Sequence, residues 1–95
     1  MSDAPKLTRE HLERALTRTQ RERFIRGDFR AGKDIVALRK FVGLTQEAFA
    51  DALGISVHTL RNWEQDRRKP EGPAIALLRI AARHPKIIRQ NLAAA

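Results

Sequence analysis

The sequence predicts an all-α fold: a bundle of about five short helices with an additional helix at the N-terminus. Three observations carry this expectation. Apolar residues recur at spacings of three and four rather than two. Gly and Pro punctuate the segments so marked, and Asp34, Thr45 and Ser56 stand where three of the helices would start. From Asp34 onward no alternating strand pattern occurs. The 95 residues suffice for one compact domain and an extra element, not for two full cores.

The stretch "TREHLERALTRTQRER", residues 8–23, has the composition of a helix, but Leu12 and Leu16 give it only a narrow apolar stripe among crowded charges. Such a helix packs on a core, dimerises, binds a partner or stays loosely docked. Residues 1–33 are therefore expected to form a helical or partly mobile segment apart from a domain spanning 34–95.

Between the two lies "GDFRAGKD", Gly27 to Asp34, one residue short of a phosphate-binding loop of the form G-x-x-x-x-G-K-[ST]. Such a loop follows a buried strand and ends in a hydroxyl that holds magnesium. Here the preceding "RTQRERFIR" is no buried strand, and a carboxylate, Asp34, replaces the hydroxyl. Gly27 and Gly32 are better taken as turn residues and Asp34 as the N-cap of the next helix.

That helix carries Ile35, Leu38 and Val42 on one face and closes at Gly43. "TQEAFADAL" follows, with Thr45 as cap, Glu47 in the first turn where the helix dipole favours it, and Phe49 and Leu53 one turn apart. Gly54 ends it. Ser56 caps the next helix, "VHTLRNWEQD", after a turn of only a few residues. Ala50 is small where these two helices approach, and Leu53, Leu60 and Trp63 face inward, so the pair reads as a helix-turn-helix. Gly72 and Pro73 open a further helix with Ala74, Leu77, Leu78 and Ala81 toward the core. Pro85 opens the last, whose apolar side is Ile87, Ile88 and Leu92, the expected dimer contacts.

Nineteen Lys and Arg against eleven Asp and Glu, a net charge of +8, point to an anionic partner, nucleic acid first. With no cysteine and three widely spaced histidines, no metal site is expected. No cofactor is expected either. No residue set supplies a nucleophile with its base, so the chain is not expected to be an enzyme. No signal peptide or membrane-length apolar run occurs, and a cytoplasmic protein fits best.

On the helix from Val57, the residues His58, Arg61, Asn62 and Gln65 form a polar stripe opposite Leu60 and Trp63, and a helix of this width fits the DNA major groove. Arg61 can donate twice to guanine, Asn62 can pair with adenine, His58 can donate to a guanine acceptor, and Val57 can pack on a thymine methyl. Arg67, Arg68 and Lys69 follow directly and can reach phosphates. Thr45 and Ser56 can add their hydroxyls there, although both are needed as caps in any case.

The segment "LRKFVGLTQEAFADALGISVHTLRNWEQDRRKPEGPAIALLRIAARHP", Leu38 to Pro85, resembles the phage-repressor-like (Cro-type) helix-turn-helix transcriptional regulators. The pattern "GLTQ…A…LG.S…L..WE" carries the likeness, and "LRNWEQDRRKPEGPAIALLR" is similar to their HigA-type antitoxin branch. The resemblance implies a homodimer that binds a double-stranded DNA operator and represses transcription, its own operon included. It implies Val57, His58 and Asn62 as base readers, Gln46 as a phosphate anchor, and Arg39 opposite Glu64 as a structural ion pair. It also implies a toxin partner engaged by the N-terminal segment, where Leu12, Leu16, Phe24 and Ile25 are the apolar candidates. One departure is Asp66, where the family usually has Gly, which lengthens the helix or demands an unusual local backbone.

Overall fold

The computed structural model describes residues 15–92. Six helices occupy them: α1 Arg18–Ile25, α2 Gly32–Val42, α3 Gln46–Leu53, α4 Val57–Glu64, α5 Pro73–Arg83 and α6 Pro85–Gln90. Each of the six closes on one core that contains Phe24, Ile35, Leu38, Val42, Phe49, Leu53, Leu60, Trp63, Leu78 and Ile88, and the expected all-helical bundle is the observed one.

The first helix differs from its expectation in start and in attachment. Residues 15–17 are not helical, and Thr17 begins α1 through a reciprocal cap in which its hydroxyl accepts from the Gln20 N–H and its own N–H donates to the Gln20 side chain. Leu12 lies outside the described residues. Phe24 is fully buried, so the boundary expected after residue 33 falls inside the core. Two arginines then tie α1 to α5 reciprocally. Arg21 donates to the carbonyls of Ala82 and Arg83 at the end of α5, and Arg79 donates to the carbonyl of Ile25 at the end of α1, 2.9 Å away. Each helix thus receives from the other the donors that its last carbonyls lack. Gly27, at φ +82°, turns the chain out of α1, and a Cβ there would meet Ile75 at 2.9 Å. Left-handed backbone and close approach to α5 both require glycine.

Asp34 is not the cap of α2. The helix starts three residues earlier than expected, with Ala31 as an N-cap that offers no side-chain bond, and Asp34 is buried in its first turn. The role of the cap passes to a residue distant in sequence: the Asp66 carboxylate accepts the Gly32 N–H at 2.7 Å. Gly32 is correspondingly not a turn glycine but a contact glycine, because a Cβ would run into the Glu64 carbonyl oxygen. Asp34 itself accepts both ends of the Arg23 guanidinium at 3.2 Å and the Arg30 N–H at 2.9 Å. This ion pair, like Phe24, joins α1 to the rest of the molecule.

The other helices follow their sequence signals closely. Thr45 and Ser56 cap α3 and α4 by accepting from Ala48 and Thr59, and Gly54, at φ +72°, makes the turn between them. Arg89 donates to the Val42 carbonyl and Asn91 to the Ala52 carbonyl, so α6 closes the ends of α2 and α3. Ile88 is buried in doing so and is a core residue, not a surface for a second copy. Ile87 and Leu92 remain exposed, at 55% and 41%, and Ile80 of α5 is exposed at 42%.

Candidate nucleic-acid interface

The face built by α3, Gly54 and α4 combines a rigid base with an exposed polar edge. Its base is set from inside: Phe49, Ala50 and Leu53 of α3 meet Leu60 and Trp63 of α4 in the core, and Ala50, 2% exposed, allows the close approach. Polar bonds set it from outside. Arg39 of α2 grips Glu64 with two bonds, of 2.8 and 3.2 Å, in the expected pair, whose carboxylate side chain is only 5% exposed. Glu64 also accepts from the Gln46 amide at 3.0 Å, so three helices converge on one carboxylate.

On this base α4 presents His58 as exposed and Val57 and Asn62 as partly exposed. Arg67, Arg68 and Lys69 follow as an exposed basic run. The chain reaches them through Asp66, which adopts the left-handed conformation at φ +61°. Of the two outcomes that an Asp at this position allowed, the unusual backbone is the one observed, and α4 ends at Glu64 without lengthening. The cost of left-handed backbone at a non-glycine residue is offset by the bond from Asp66 to the first turn of α2.

Two expected site residues make contacts within the fold. Arg61 does not extend along the stripe: its Nε donates to Gln46 Oε1 at 3.2 Å and its Nη2 to Glu47 Oε1 at 3.0 Å, which turns the guanidinium back onto the first turn of α3. Gln46 is engaged from both sides by Arg61 and Glu64. The Glu47 contact was missed because local pattern assigns Glu47 to the helix dipole, and nothing in it pairs residues 14 positions apart. Thr45 and Ser56 are exposed but serve as caps, as their positions require.

The N-terminal candidates separate as well. Phe24 is withdrawn into the core and offers no surface to a partner, whereas Leu16 and Ile25 are partly buried and border a shallow groove with Arg18, Arg21 and Glu22. Beside Phe29–Gly32 the free space is about 20 Å³, room for a water and not for a nucleotide. Among the described residues no helix is long and apolar enough to cross a membrane.

A helix-turn-helix family model matches residues 35–79. Over 55 residues the chain is 40% identical to antitoxin HigA-2 of Vibrio cholerae serotype O1, covering 58% of this chain and 53% of that protein. Over 57 residues it is 37% identical to the HTH-type transcriptional regulator YiaG of Escherichia coli K12, covering 60% and 59%. Over 44 residues it is 50% identical to the HTH-type transcriptional regulator YazB of Bacillus subtilis 168, covering 46% and 64%. The chain thus spans between about half and two-thirds of the length of these curated relatives. With the tight α3–α4 turn, the inward Leu60 and Trp63 and the Arg39–Glu64 pair, residues 35–79 form a helix-turn-helix domain similar to that of these regulators.

Proposed function

We propose that the chain is a sequence-specific DNA-binding repressor that reads its operator through α4 and acts in the cytoplasm. The observation that carries this reading is the placement of Val57, His58 and Asn62 on the outer side of a helix locked at both ends, with Arg67–Lys69 directly beside it. Base contacts from the first three would specify sequence, and the basic run would fix register on the phosphates. Homodimerisation would place two α4 helices about 34 Å apart on a near-palindromic site. The exposed Ile87 of α6 and Leu92 just after it support this end of the chain as part of that contact.

Duplexes selected from a random library supply the test. Asn62→Ala should relax preference at one base position at a cost of about 1–3 kcal/mol, while Arg68→Ala should weaken all sequences alike and reduce the salt slope by about one. An equal loss on every duplex for Asn62→Ala would sink the base-reading assignment.

The 40% identity to a protein named as an antitoxin favours a second, compatible role: neutralising a small toxin and repressing the shared operon. Leu16, just before α1, and Ile25, at its end, are partly buried against the core and line the groove there, and they are the described residues best placed for that contact. Co-expression with the product of a small reading frame beside the gene should give a copurifying complex that Leu16→Glu disrupts while operator binding survives. Absence of any such frame, or of a complex with its product, would leave a regulator without a toxin.

A further inference from the structure

We infer that Arg61 is a positioning residue rather than a base reader: with Glu64 it fixes the side-chain amide of Gln46 so that one N–H is presented to a DNA phosphate. The inference rests on the reading above, in which α3 and α4 dock on a duplex and the start of α3 meets its backbone.

The argument is one of donor and acceptor identity. An amide side chain has two ends that are nearly indistinguishable in shape, and its orientation usually follows from whichever network satisfies it best. At Gln46 the neighbours leave no choice. Both Glu64 carboxylate oxygens accept from Arg39, and Oε1 also faces the NH₂ end of Gln46, 3.0 Å from its Nε2. Arg61 only donates, so it must face the carbonyl end, and its Nε lies 3.2 Å from Gln46 Oε1. Glu64 is itself held by Arg39, and Arg61 by Glu47 at 3.0 Å, so both jaws of the clamp are anchored. One Gln46 Nε2 hydrogen goes to Glu64, and the other is left for an acceptor arriving from outside. Gln46 occupies the first turn of α3, where backbone N–H groups and the helix dipole already favour an anion.

Arg61 is also poorly placed to read a base. The edge formed by its Nε and Nη2, one of the forks that matches guanine, is taken up by Gln46 and Glu47.

The test is a double-mutant cycle on full-length protein, using a library-selected duplex, its single-base variants and a scrambled duplex of equal length. Arg61→Ala should weaken all of them alike by about 3- to 10-fold, the worth of one lost hydrogen bond, and in a Gln46→Ala background the same change should cost less than about 2-fold. Arg61→Lys keeps the charge but lacks the Nε donor, and should behave as Arg61→Ala does. Because the contact passes through a neutral amide, the salt slope should move by well under one. In the free protein, the Gln46 side-chain amide resonances should shift on Arg61→Ala, a readout independent of DNA. A loss confined to one base position would make Arg61 a base reader after all. A uniform loss that persists without Gln46, or rescue by lysine with a slope change near one, would make it a phosphate ligand in its own right. Either result overturns the inference and leaves DNA binding standing, whereas failure of the wild-type chain to enrich any duplex overturns both.

Discussion

Phe24→Ala should destabilise the fold by about 3–5 kcal/mol, the usual cost of emptying a buried aromatic site. Phe24 is fully buried although it belongs to a helix whose sequence is dominated by charge. Its ring stacks on Phe29 with centroids 4.9 Å apart, and the Arg23 guanidinium lies 5.3 Å from its centre. Truncation would therefore empty space between α1 and the core and also leave Phe29 and Arg23 without their apolar partner. Chemical denaturation of the two proteins measures the difference. A loss below about 1 kcal/mol would mean that α1 is detached in solution and that the core closes without it. The same reasoning bears on truncation experiments: removing residues 1–29 does not separate partner binding from DNA binding, because it removes Phe24 and Arg23 with the surface of α1. Leu16→Glu is the cleaner probe.

Asp34→Ala should cost a comparable amount, about 3–5 kcal/mol, because it leaves the Arg23 guanidinium largely buried without its counter-charge. The two side chains are 13% and 5% exposed. Removing both charges, as Arg23→Met with Asp34→Leu, should restore most of the loss, since well-packed apolar replacements of a buried pair are often neutral. If the double variant were as unstable as Asp34→Ala, the pair would be holding something other than each other. Burial by itself pushes the Asp34 carboxyl up, but the Arg23 guanidinium and the N–H groups of Arg30 and Ala31 outweigh it, and its pKa lies below the ordinary 3.8. The same bond to Asp34 raises the pKa of Arg23. A depressed carboxyl pKa means that the unfolded chain takes up the proton first as the solution is acidified. The contribution is complete above about pH 5 and is lost as pH falls through the ordinary carboxylate range toward the lower folded value. Thermal unfolding between pH 7 and pH 3 should show the wild type losing more stability than the double variant; parallel profiles would exclude this linkage.

The helix-turn-helix was legible because its demands are local. Thr45, Ser56, Gly43 and Gly54 act within a few residues of themselves, and the periodic apolar residues of α2, α3 and α4 are the buried ones. What escaped the reading depends on partners far away in sequence. An Asp before an apolar run is usually a cap, so local pattern makes Asp34 one; the actual acceptor for Gly32, Asp66, stands 34 positions later. A six-residue helix has too little pattern to show which of two adjacent isoleucines turns inward, and it is Ile88 that does. Arg61 lies on the polar stripe by spacing, and only the position of α3 shows that its guanidinium is drawn off it. Phe24 stood out in a charged segment, and one aromatic in such a setting serves a core as readily as a partner.

The reciprocal bonds from Arg21 to the end of α5 and from Arg79 to the end of α1, with Arg89 on α2, separate two quantities that composition merges. Net charge treats every cation as equal, yet these three arginines are engaged by carbonyls of their own fold, and Arg23 and Arg39 by its buried carboxylates. Recoding Arg21, Arg79 and Arg89 as lysine would keep the total at +8 and loosen three helix ends, since an ammonium lacks the planar donor fork. Recoding the exposed Lys40 and Lys86 as arginine would keep the same total and leave those ends as they are. Two proteins of identical charge would then differ in stability, and titrating polyelectrolyte affinity against formal charge would mislead for this chain.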